Sequence, residues 1–73
     1  MAQYHVWLPD FETMILVRGS EDDAEQVARQ ELRERLALEQ FELTGAEVSA
    51  EYCMLQAGSL ISRGTVTVPP AGG

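Results

Sequence analysis

Residues 3–8 (Gln-Tyr-His-Val-Trp-Leu) are β-formers in alternation, which predicts a strand with Tyr4, Val6 and Leu8 on one side and His5 and Trp7 on the other. Pro9-Asp10-Phe11-Glu12 reads as a turn, since Pro presets φ and Asp can bond the local backbone. Thr13 to Arg18 form a second strand, whose run Met14-Ile15-Leu16-Val17 suits a strand that is covered on both faces or central in a sheet. The two strands make a hairpin, and Gly19 ends the second.

The rhythm then changes from two to between three and four. Ser20 followed by Glu21-Asp22-Asp23 is a helix N-cap with an acid at the third position, and three carboxylates in the first turn complement the helix dipole. Ala24, Val27, Ala28, Leu32 and Leu36 build one apolar stripe. Glu25 with Arg29 and Glu31 with Arg35 are i,i+4 pairs in the favourable order. The helix should run to about residue 39–43, with Gly45 as its stop. Leu38, Phe41 and Leu43 fall out of phase with the stripe. Spacing alone leaves two readings of them: they close the core over the helix end, or Phe41 already lies on an irregular connector.

Val48 to Gln56 resumes the two-residue alternation, with Val48, Ala50, Tyr52 and Met54 on one side. Ala57-Gly58-Ser59 reads as a hairpin turn and Leu60 to Val68 as the last strand, with a bulge expected at Gly64. Pro69-Pro70 cannot continue a ladder. The expected architecture is α+β in the order ββαββ: a four-stranded, mainly antiparallel sheet with one long helix on one face. Residues 1–68 form a single domain and 69–73 a flexible C-terminal tail.

Composition narrows the function classes. Twelve acidic residues against five basic ones give a net charge of −7, which argues against direct binding to nucleic acid and against anionic membranes. The same charge favours a protein partner with a basic surface. All five cations are Arg, with no Lys and no Asn, which points to a GC-rich genome rather than to a phosphate site. No apolar run approaches the ~20 residues that span a bilayer, and the opening residues lack a signal-peptide pattern, so a cytoplasmic protein is expected. Cys53 is the single cysteine, and no Cys or His spacing suggests zinc, so neither metal nor cofactor is expected.

No catalytic constellation is visible, and the chain reads as a non-enzyme. His5 is the only histidine and has no evident orienting partner; it reads as a half-exposed sheet residue. Cys53, between Tyr52 and Met54, reads as a small buried apolar side chain. Residues 21–42 hold eight of the twelve carboxylates, either a solvated face or a docking surface for a basic groove. The partner-binding candidates are Glu21, Asp22, Asp23 and Glu25, with Trp7 or Phe41 as an apolar anchor. Trp7 belongs either to the core or to an open sheet face.

Two resemblances add to this reading. The ending Val68-Pro69-Pro70-Ala71-Gly72-Gly73 is similar to that of ubiquitin-like β-grasp sulfur carriers, which share the ββαββ order. That resemblance implies a carrier whose terminal Gly73, beside the slender Gly72, is adenylated and converted to a thiocarboxylate. A compact, acidic, motif-free chain also resembles in style the host-interaction inhibitors of phages and mobile elements, anti-CRISPR proteins among them. That second resemblance implies an inhibitor of a host nucleic-acid-binding complex, working in the host cytoplasm. A homodimer paired through a sheet edge is a third arrangement open to this topology.

Overall fold

The structure is a computed structural model that describes residues 2–42 and 45–70. The expected ββαββ order is present: β1 (Gln3–Leu8), a 3₁₀ turn (Pro9–Phe11), β2 (Thr13–Arg18), α1 (Glu21–Glu42), β3 (Val48–Gln56) and β4 (Ser59–Val68). The strands form one open antiparallel sheet in the order β2-β1-β3-β4. The long apolar run of β2 therefore belongs to an edge strand, not to a central or doubly covered one. Val17 is buried beneath the helix, whereas Met14 and Leu16 point to the other side and stay exposed.

The helix starts where the capping residues place it. Asp23 N–H donates to Ser20 Oγ at 3.1 Å, and Ser20 N–H donates to Asp23 Oδ2 at 3.0 Å. This reciprocal pair satisfies two of the backbone groups left open at a helix end. At the other end Gly45 has φ 85°, and its N–H donates to the Gln40 carbonyl. The buried stripe is Ala24, Ala28, Leu32, Leu36 and Gln40, a strict four-residue step. Val27, assigned to the stripe from its spacing, is exposed instead, because at a step of four the buried line passes through Ala28. Gln40 takes the last core position as an amide. Its Nε2 donates to the carbonyls of Ala46 and Pro69, which ties the helix end to the chain on either side of the β3–β4 hairpin.

Beneath the helix lie Tyr4, Val6, Leu8, Val17, Val48, Ala50, Tyr52, Met54 and Val66. All come from the strand positions that alternation assigns to one face. β1 is shorter than β3, and the 3₁₀ turn extends its edge: Asp10 Oδ2 accepts the Glu51 N–H at 3.3 Å. The β3–β4 hairpin turns on Ala57 and Gly58, both at positive φ (51° and 81°), as a tight two-residue loop requires. The register shift in this hairpin falls between Met54 and Leu55, where Ile61 is the extra residue between Leu60 and Ser62. The bulge is thus not at Gly64. Gly64 stays in register opposite Tyr52, whose ring lies over it; a Cβ there would stand 2.6 Å from the phenol oxygen. Glycine at 64 leaves room for an aromatic ring.

Candidate functional site

One helix covers one face of the sheet and leaves the other open, which gives the molecule two distinct outer surfaces. On the helix, residues opposite the buried stripe face solvent. Val27, Glu34, Leu38 and Phe41 fall along this outer side at steps of seven, four and three. Leu38 is 71% exposed and Phe41 86%, so neither closes the core, and Phe41 lies within the helix rather than on a connector. The two are i,i+3 neighbours, and Leu38 has Glu34 one turn before it and Glu42 one turn after. Leu43, the third residue of that group, lies outside the described residues.

Two of the three helical arginines, Arg29 and Arg35, stand over aromatic rings, while Arg33 is exposed. Arg29 pairs with Glu25 at 3.2 Å and stands 5.6 Å above the Tyr52 ring. Arg35 pairs with Glu31 at 3.6 Å and stands 5.5 Å above the Phe11 ring. Each guanidinium stands over an aromatic ring, an arrangement favoured by the ring quadrupole. Their partners Glu25 and Glu31 are drawn to the helix flanks. Glu34, Glu39 and Glu42 are left as exposed carboxylates along the C-terminal half.

The docking residues expected from the sequence are therefore dispersed. Glu21 and Asp22 are exposed in the first turn, Asp23 is engaged with Ser20, and Glu25 with Arg29. The two hydrogen bonds from Ser20, backbone and hydroxyl, hold the Asp23 carboxyl below its ordinary range. Phe41 lies 20 residues further along, about 30 Å down the helix axis. Trp7 lies on the opposite side of the sheet and shares no surface with either. The tail residues Gly72 and Gly73 lie outside the described residues.

The open face has its own pattern. Across the strands, one row runs Met14, Trp7, Cys53, Arg63 and the next Leu16, His5, Leu55, Leu60. Met14, Leu16 and Leu60 are each about half exposed (53%, 49% and 54%), with Trp7, Cys53 and Leu55 half-buried among them. Cys53 is thus a half-buried thiol on the open face rather than a core residue, because position 53 alternates away from Tyr52 and Met54. Trp7, Met14, Cys53, Leu55 and Leu60 line a shallow apolar depression of about 420 Å³. His5 sits exposed between Leu16 and Leu55, so the groups directly across the ladder from it are aliphatic.

Sequence spacing named Phe41 as an anchor but not its pairing with Leu38, and of the open face it assembled only His5 and Trp7. The available signals were the out-of-phase positions of Leu38 and Phe41, and the apolar residues on both sides of β2. Among the described residues, no three His, Cys, Asp or Glu side chains converge on a point that could hold a metal ion. No helix among them is long and apolar enough to cross a membrane. The fold and its surfaces define an α+β chain with an acidic helix over a sheet that is apolar on both faces. No family model matches the chain, and comparison with the curated proteins and with the solved structures returns no match either.

Proposed function

We propose that this chain is a small acidic, non-enzymatic protein-binding module that works by covering a basic surface of a partner protein. The observation that carries the reading is the pair Leu38 and Phe41, exposed on the outer side of the helix among Glu34, Glu39 and Glu42. An aromatic and a leucine one turn apart form an anchor for an apolar pocket, and surrounding carboxylates select a rim of Arg and Lys. Because Arg29 and Arg35 fold back over Tyr52 and Phe11, they do little to neutralise this outer side. Carboxylates one helical turn apart recur every ~5.4 Å, a spacing that suits a groove which otherwise holds phosphates.

The partner class that presents such a groove is a nucleic-acid-binding complex. On this reading the module is an inhibitor of the phage or mobile-element kind, anti-CRISPR-like in action and at work in the host cytoplasm. It displaces nucleic acid by steric and electrostatic occlusion, without covalent chemistry.

A gel-shift competition tests this, with reconstituted RNA-guided nucleases and other basic host complexes bound to labelled DNA. The wild-type protein should displace the DNA from its target. The combined change Phe41→Ala, Glu34→Arg, Glu42→Arg should abolish displacement, and removal of residues 72–73 should leave it unchanged. Competition should also fade as salt rises from about 50 to about 300 mM. Displacement indifferent to both charge reversal and salt would overturn the acidic-helix reading, and displacement lost with residues 72–73 would favour the carrier chemistry.

A further inference from the structure

An edge strand presents free N–H and C=O groups to any extended chain, and folded proteins blunt such edges with charges, prolines and bulges. The two edges of this sheet differ in that respect. β4 has its bulge at Ile61, Arg63 in mid-strand and Pro69-Pro70 directly after its end. β2 pairs with β1 in unbroken register from Thr13 to Arg18. Its stretch Thr13-Met14-Ile15-Leu16-Val17 holds no charge, no proline and no glycine. β2 is the unguarded edge.

The direction of its free groups follows from one bond. Gly19 N–H donates to the Ala2 carbonyl at 3.0 Å. Continuing the register Gln3↔Arg18, those two residues stand opposite each other and form a hydrogen-bonded pair. Such pairs alternate along an antiparallel ladder, which turns the backbone groups of Thr13, Ile15 and Val17 towards β1. The N–H and C=O groups of Met14, Leu16 and Arg18 therefore point outwards.

The side chains around those groups say what pairs with them. A second copy of β2, running antiparallel about a two-fold axis at Ile15, sets each Met14 opposite the other copy's Leu16. Both are residues whose backbone groups face outwards, so they can exchange hydrogen bonds, and both side chains lie half exposed on the open side. Ile15, which is partly buried against the core, meets its own copy on the helix side. The same register brings Arg18 level with Glu12 of the second copy, twice over by symmetry. Both residues are exposed, and the ion pairs among the described residues join Glu25 to Arg29 and Glu31 to Arg35, so Glu12 and Arg18 are uncommitted. An axis at Leu16 would face Arg18 with Met14 and leave Glu12 without a cation. Opposite charges across a strand pair select the axis at Ile15. The net −7 opposes any two copies alike, but physiological salt screens it over ~8 Å, whereas these contacts are direct.

We propose that β2 pairs antiparallel with β2 of a second copy about an axis at Ile15, joining two four-stranded sheets into one continuous sheet with both helices on the same side. Main-chain hydrogen bonds rather than buried area carry the affinity, so the dimer is weak and concentration-dependent. Leu38 and Phe41 take no part in it, and the proposal is independent of the function proposed above.

Sedimentation equilibrium on the full chain, from about 10 µM to about 1 mM in ~0.15 M salt, should show the average mass rising towards twice that of one chain. Amide exchange followed by NMR reads the register. The Met14, Leu16 and Arg18 amides should exchange fast in dilute protein and slow about threefold or more at the highest concentration, while Ile15 and Val17 are protected throughout. Glu12→Arg should raise the dissociation constant about fivefold to tenfold, although it lowers the net charge, because two arginines then face each other. Adding Arg18→Glu restores opposite charges and should restore association. Leu16→Pro removes an outward N–H at a position where an edge strand tolerates proline, and should leave a folded monomer. The charge variants alter only exposed side chains and decide the matter should the proline variant not fold. A chain that stays monomeric at the highest concentration would overturn the proposal. So would a dimer that survives Leu16→Pro, one whose Met14, Leu16 and Arg18 amides exchange as fast as in dilute protein, or a double charge variant that associates no better than Glu12→Arg.

Discussion

The sheet face under the helix and the face turned to solvent are built from similar side chains but experience opposite environments. Under the helix, Val6, Leu8, Leu32 and Met54 are fully buried, and the core continues without a break from β2 to β4. On the far side, Met14 and Leu16 of β2 and Leu60 of β4 are half exposed. A strand residue's contribution to stability follows from what covers it, since burial and packing supply the energy. In a chain of this size, with a total stability of roughly 3–5 kcal/mol, one helix can cover only one face. The other is left apolar and available for contact.

The largest contrast should come from two leucines. Leu32→Ala removes a fully buried side chain between helix and sheet and should cost about 2–5 kcal/mol, close to the whole stability. Leu16→Ala on the open face should change the denaturation free energy of the dilute protein by less than ~1 kcal/mol. Urea titration at micromolar concentration compares them, and equal costs would erase the distinction between the faces.

An intermediate effect is expected at Gly64. A Cβ there meets the Tyr52 ring at 2.6–2.9 Å, and that ring is buried below Arg29, so Gly64→Ala should destabilise by about 1–3 kcal/mol. Repeating the change in a Tyr52→Leu background should shrink the cost, because the obstruction is removed. An undiminished cost in that cycle would mean that the glycine serves backbone geometry instead.

The smallest effect concerns pH. The Asp23 carboxyl is held below its ordinary value by Ser20, so its contribution to stability is present above the unfolded pKa of ~3.9. That contribution is lost as pH falls through the lower folded value. Asp23→Asn should lower the melting temperature slightly at pH 7 and converge with wild type once pH falls below the lowered folded value. A gap that persisted in strong acid would assign the effect to something other than the charged cap.

Much of the fold was legible because its signals are local. Alternation marked β1 and β3 to the residue, a continuous apolar run marked β2, and the Ser20–Asp23 pair marked the helix start. Features that depend on distant partners were not legible. Met14 to Val17 carry apolar side chains on both sides of β2, a pattern that cannot separate a doubly covered strand from an edge strand with a bare face. A glycine in a strand is compatible with a bulge or with a close aromatic neighbour, and only the register of Tyr52 opposite Gly64 distinguishes them. Val27 fitted a helical stripe by spacing, but a step of four put Gln40 in the core in its place. The candidate surfaces followed the same rule: the acidic character of the helix could be read directly, whereas the side on which Trp7, Leu38 and Phe41 emerge depended on where the helix lies.

The asymmetry between the two faces can be measured by adding a soluble paramagnetic agent to the dilute protein and following the methyl resonances by NMR. The Met14, Leu16 and Leu60 methyls should broaden strongly, while those of Leu8, Leu32, Leu36 and Met54 remain sharp. Equal protection of both sets at concentrations where the chain is monomeric would contradict a sheet covered on one side only.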